Sequence, residues 1–80
     1  MPDIQTRIAL GADIAREFAR LHVVAPRGRL GVCAAILGVP VASVAGLDEA
    51  QAGRVAVALA GCGTPGALVG LKARLERETA

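Results

Sequence analysis

The segment VAVALAGCGTPG, residues 55–66, admits two readings, and the fold turns on them. As a strand entering a glycine loop, it spells GxGxxG through Gly61, Gly63 and Gly66, the form of a dinucleotide-binding turn. As helix punctuation, it closes one helix at Gly61 and opens another at Thr64, a capping residue, and Pro65, which suits the first helical position. A dinucleotide fold needs a second parallel strand beyond the helix, ending on an acidic residue, and the sequence reaches Ala80 where that helix would end. The residues just upstream point the same way. In LDEAQ, residues 47–51, Asp48 is an N-cap, Glu49 places negative charge in the first turn, and Gln51 stands where a capping box needs it. A helix launched at Asp48 would have to stop for a strand to begin at Val55. The glycines are therefore read as helix ends, and a nucleotide loop is kept only as a minor alternative.

Working outward, three further signals complete a four-helix pattern. The first helix is expected from about Asp3 to Leu21. At about 100° per residue, Ile4, Ile8, Leu10, Ile14, Ala15, Phe18 and Leu21 share one broad side, with Asp13, Arg16 and Arg20 on the other. Arg7 projects from the apolar side, where an arginine commonly lays its stem on the core; its alternative role is as a contact residue. Pro26 disfavours a helical Ala25 and begins a second helix, with Leu30, Cys33, Ala34 and Leu37 in register and Gly38 as its left-handed stop. VPVASVAG, residues 39–46, is a connector with room for one helical turn. In the fourth helix Leu68, Leu71 and Leu75 form the buried seam, while Lys72, Arg74, Glu76, Arg77 and Glu78 cover the outside.

Composition narrows the function classes. A chain of 80 residues supports one domain, residues 1–80, and no second core. Hydrophobic residues make up 54%, but Phe18 is the single aromatic, so the helices pack thinly and leave no deep ligand cavity. No apolar run approaches the roughly 20 residues of a membrane span, and MPDIQTRIALGADIAREF carries charge throughout, unlike a signal peptide. These features predict a cytoplasmic protein that does not enter membranes. Cys33 and Cys62 lack metal-ligand spacing and read as small buried hydrophobes, so no metal or other cofactor is expected. His22 is the only histidine and ends the first helix, and no third residue would orient a Cys–His pair, so the chain reads as a non-enzyme.

The net charge of +2 is small, but its distribution is uneven. Arg16, Arg20, His22, Arg27 and Arg29 crowd one short segment. The plain reading is a solvated helix face and a polar loop. The functional reading is a ridge in which Arg16, Arg20, Arg27 and Arg29 contact a protein partner or phosphates. Direct DNA binding is expected to be weak, because Asp13 and Glu17 interrupt the ridge. One aromatic cannot stack successive bases, and the third helix lacks the polar side chains of a groove reader.

Two resemblances bear on function. VAGLDEAQAGRV, residues 44–55, resembles a helix-hairpin-helix motif at Gly46, Leu47, Ala52 and Val55. Asp48 replaces that motif's second glycine, and an aspartate there would repel a DNA phosphate. RLGVCAAILGVPVASVAGLDEAQAGRVAVAL, residues 29–59, resembles the C-terminal helical region of phage-type single-strand annealing and recombination proteins. The matching residues are Leu37, Gly38, Val41, Ser43, Leu47, Ala52, Val55 and Leu59, with Asp48 and Gln51 preserving a capping box. That resemblance implies a helical accessory that docks partners of the recombination machinery. The alanine, glycine, valine and arginine bias points to a phage or a GC-rich bacterium.

The expected architecture is all-α: a compact single-domain bundle of four short helices. The expected work is docking, either to a nucleic-acid-processing protein or to a second copy in a homodimer. Glycines 11, 31, 53, 66 and 70 permit the close helix approach that self-association needs.

Overall fold

A computed structural model describes the backbone of residues 4–79 and the side chains of residues 9–78. Asp3, the expected first cap, and the side chain of Arg7 lie outside the described residues. The elements are α1 (Ile4–Arg20), α2 (Pro26–Leu37), a 3-10 turn (Val44–Gly46), α3 (Glu49–Ala60) and α4 (Pro65–Thr79). Among the described residues there is no strand. The segment from Val55 to Ala60 is the second half of α3, which corrects the minor nucleotide-loop reading: no strand leads into Gly61, Gly63 and Gly66.

The start of α3 has a full capping box. Asp48 Oδ1 accepts from the Gln51 backbone N–H at 2.7 Å, and Gln51 Oε1 accepts from the Asp48 N–H at 3.1 Å. Leu47 and Ala52, both buried, occupy the flanking positions of a hydrophobic staple. Thr64 Oγ1 likewise accepts from the Ala67 N–H at 3.1 Å at the start of α4. The start of α2 has no side-chain cap; Ala25 precedes Pro26, and the Arg29 N–H makes the first helical bond to the Ala25 carbonyl.

α3 is the hub of the bundle. α1 packs along it most extensively, α2 lies against it elsewhere, and α4 packs mainly on α2. The core joins Ile14, Phe18 and Leu21 to Val55 and Leu59 of α3 and to Val32, Cys33 and Leu37 of α2. Burying Phe18, Ile14 and Leu59 contributes roughly 1.5–3 kcal/mol each. The radius of gyration, 11.9 Å, is close to the roughly 12 Å of a compact chain this long. Ala15 is exposed, because it sits at the edge of the stripe and its single methyl does not reach the core. Val32 is buried although it lies outside the Leu30–Cys33–Leu37 register, because α2 has α3 on one side and α4 on another.

The end of α1 is unusual. His22 takes a left-handed conformation with φ of 62°. Its N–H reaches the Ala19 carbonyl at 3.1 Å, while the Val23 N–H reaches the Phe18 carbonyl at 2.8 Å. This pair of bonds is a Schellman motif, with histidine where glycine is usual. Val23 then packs against the core and turns the chain towards α2. Gly38 ends α2 with φ of 70° and a single bond from its N–H to the Ala34 carbonyl at 2.8 Å.

Candidate functional site

The four arginines of the basic segment do different things. Arg20 leaves the end of α1 and reaches the end of α3. Its Nη2 donates to the carbonyls of Cys62 at 2.8 Å and Leu59 at 3.1 Å. The same nitrogen and Nε also donate to Glu17 Oε2, at 2.5 and 2.8 Å. Two protons on Nη2 thus serve three acceptors, so at least one bond is shared. A cation at these carbonyls is favoured by the negative end of the α3 dipole; it gives the Cys62 carbonyl a donor and adds one at Leu59, which already accepts from the Cys62 N–H at 3.0 Å. Two more terminal carbonyls have donors: Val57 accepts from the Gly61 N–H, and Ala58 accepts from the Cys62 thiol at 3.4 Å. Arg20 is a cap for another helix.

Arg29 is also built in. Its Nε donates to the Val23 carbonyl at 2.8 Å, and its guanidinium lies 5.5 Å from the Phe18 ring centroid. The α1–α2 junction is held at both ends by these contacts, one polar and one cation–π. Arg16 is exposed and pairs loosely with Asp13 at 3.6 Å, an exposed pair worth little. Arg27 is exposed on the first turn of α2, with no ion or hydrogen-bond partner among the described residues. Of the four, Arg16 and Arg27 face solvent freely, whereas Arg20 and Arg29 are held by hydrogen bonds to backbone carbonyls, Arg20 with its side chain still 40% exposed.

A second surface was not singled out by the sequence. Ala52, Val55 and Leu59 bury one face of α3. At about 100° per residue, Val57 points the opposite way, and it is 75% exposed. Two shallow grooves flank it. One, of about 550 Å³, lies towards α2 and is lined by Ile36, Ala50, Gly53, Arg54, Val57 and Ala58. The other lies towards α1 and is lined by Asp13, Arg16, Glu17, Ala56, Val57 and Ala60. The outward face of α3 is therefore an apolar ridge of small residues crowned by Val57 and edged by charge. A Cβ added at Gly53 would meet nothing within 4 Å, so no close approach inside this chain requires that glycine. The sequence signal was available: an apolar valine on the side of the helix opposite its buried stripe.

The nucleophile and base candidates are separated by burial. Cys33 is fully buried, and desolvation raises its thiol pKa, the reverse of what an activated nucleophile needs. Cys62 is buried and free, while His22 is exposed at the end of α1. Among the described residues, no three His, Cys, Asp or Glu side chains cluster in a way that could hold a metal ion, and no helix is long and apolar enough to cross a membrane.

No protein-family model, curated protein or solved structure matches this chain.

Proposed function

We propose that the chain is a non-enzymatic docking module whose contact surface is the outward face of α3, and that it works in the cytoplasm within DNA recombination or replication machinery. The observation that carries this reading is Val57, three-quarters exposed between two shallow grooves, one mostly apolar and one edged by charge, on the central helix of the bundle. A rigid helix with small residues around one projecting valine suits a partner that approaches closely. The hydrogen bonds of Arg20 and Arg29 to backbone carbonyls support protein docking over phosphate binding, since a phosphate would compete with acceptors these two arginines already hold. The setting rests on the resemblance to annealing-protein helical regions. Its matching residues Leu47, Ala52, Val55 and Leu59 are core positions of this fold, so it speaks to shared architecture more than to a shared surface.

The test is crosslinking of the tagged chain in cells, comparing wild type with Val57→Asp and Val69→Asp. Val69 is 69% exposed, but on α4, and serves as the control. Protein crosslinks formed by wild type and by Val69→Asp are expected to disappear from Val57→Asp, with recombination or replication proteins co-purifying. Crosslinks indifferent to Val57→Asp would overturn the reading. So would retention of duplex DNA at about 0.15 M salt that is lost on Arg27→Glu.

A further inference from the structure

We infer that the outward face of α3 takes a second copy of this chain, laid antiparallel about a two-fold axis passing between residues 16 and 17 of α1 and beside Val57 of α3. This rests on the docking reading above and names its partner.

The starting observation is the alignment of α1 with α3. Asp13, Arg16 and Glu17 share a groove with Ala56, Val57 and Ala60, and Arg20 reaches the carbonyls of Leu59 and Cys62. The two helices thus run side by side in the same direction, with residues 16 and 17 level with Val57. Together they present a charged row beside an apolar row.

The charged row has an order that matters. Along α1 it runs Asp13, Arg16, Glu17, Arg20: acid, base, acid, base. Laid against itself in the same direction, the row sets like charge on like. Laid antiparallel about a point between residues 16 and 17, it sets Arg16 of one copy opposite Glu17 of the other, and Asp13 opposite Arg20. Each acid then meets a base. Arg20 and Glu17 already pair within each chain, so the arrangement extends an existing pair into a four-charge array across the axis. Arg16 is free to join it, being 76% exposed and only loosely held by Asp13.

The apolar row fits the same axis. With Val57 at the crossing, the two valines meet and Gly53 of one copy faces Gly61 of the other, while Arg54 stays on the α2 flank of each α3. No bulky pair collides, and the bare backbone at Gly53 lets the helices close. A glycine inside a helix costs about 1 kcal/mol relative to alanine, and this one relieves no crowding within the chain. Close approach by a second helix gives it a use. A two-fold contact of this kind closes on itself and exposes no further copy of the surface.

The experiment uses the purified full chain. Val57→Cys is expected to give a covalent dimer under mild oxidation, while Val69→Cys stays monomeric, since the native cysteines are buried. Light scattering of the wild type at high micromolar concentration is expected to show a dimer. Arg16→Glu, which sets a glutamate against Glu17 of the opposite copy at both symmetry-related contacts, is expected to weaken the dimer at least about tenfold at low salt, with an unchanged helical spectrum. A wild-type monomer at that concentration, or equal crosslinking at positions 57 and 69, would overturn the second-copy inference. If a different protein were still captured in a Val57-dependent way, the docking reading would stand alone. If Val57→Asp changed neither assembly nor capture, both would fall. A dimer untouched by Arg16→Glu would overturn the antiparallel axis.

Discussion

The chain turns twice around α2, and the two turns are held by different chemistry. Between α2 and α3, residues 38–48 rely on backbone-level devices: Gly38 in the left-handed region, a 3-10 turn, and the capping box of Asp48 and Gln51. Every one of these is local, closing bonds within a few residues. Between α1 and α2, residues 21–25 add long side chains to a local device, the Schellman pair of His22 and Val23. Arg20 spans to the end of α3, Arg29 reaches back to Val23 and Phe18, and His22 holds a conformation that favours glycine. The contrast teaches that a cluster of arginines can be a fastening device. Guanidinium groups carry five donors on a long stem and can close helix ends that the local sequence leaves open.

If the α1–α2 turn truly depends on side chains, the largest effect belongs to Arg20. Arg20→Ala is expected to lower stability by about 2 kcal/mol, the scale of charge-assisted bonds to two carbonyls reduced by partial exposure. Arg16→Ala is expected to stay within about 0.5 kcal/mol. Denaturant unfolding that ranks the two equally would erase the distinction between fastened and free arginines.

The α2–α3 turn makes the next prediction. Asp48→Ala is expected to cost about 1 kcal/mol by losing the N-cap bond, with the rest of the fold intact. A melting temperature that did not move would mean the capping box adds nothing in solution.

The smallest effect has the opposite sign. A left-handed non-glycine residue costs about 1–2 kcal/mol, and glycine gives back roughly 0.5–1 through its freer unfolded chain. His22→Gly is thus expected to raise stability by roughly 0.5–1 kcal/mol. A thermal melt showing loss of stability would assign His22 a favourable contact that outweighs its strained backbone.

The same contrast explains what the sequence disclosed. The α2–α3 turn was legible because its devices are residue types at fixed short spacing, as with Asp48 and Gln51 or the glycine after Leu37. The four helices were legible for the same reason. The devices of the α1–α2 turn were not, since histidine is a far weaker flag for a left-handed position than glycine and Arg20 finds its acceptors 39 and 42 residues away. The basic segment looked like a ridge because sequence counts charge without showing which charges the fold engages. Val57 went unmarked because small apolar residues surround it on every side in the sequence, and only the buried stripe of Ala52, Val55 and Leu59 reveals its outward direction.

The most direct test of this account is duplex DNA binding as a function of salt. Each phosphate neutralised contributes about −0.9 to the log–log slope, so four free arginines would give about −3.6 and two about −1.8. With Arg20 and Arg29 already held by backbone carbonyls, binding is expected to be weak, lost by about 0.15 M salt, with a slope no steeper than about −1.8. Binding that persists at that salt with a slope near −3.6, and whose slope flattens on Arg29→Gln, would contradict the account, because an arginine held by the fold would then be reaching phosphate.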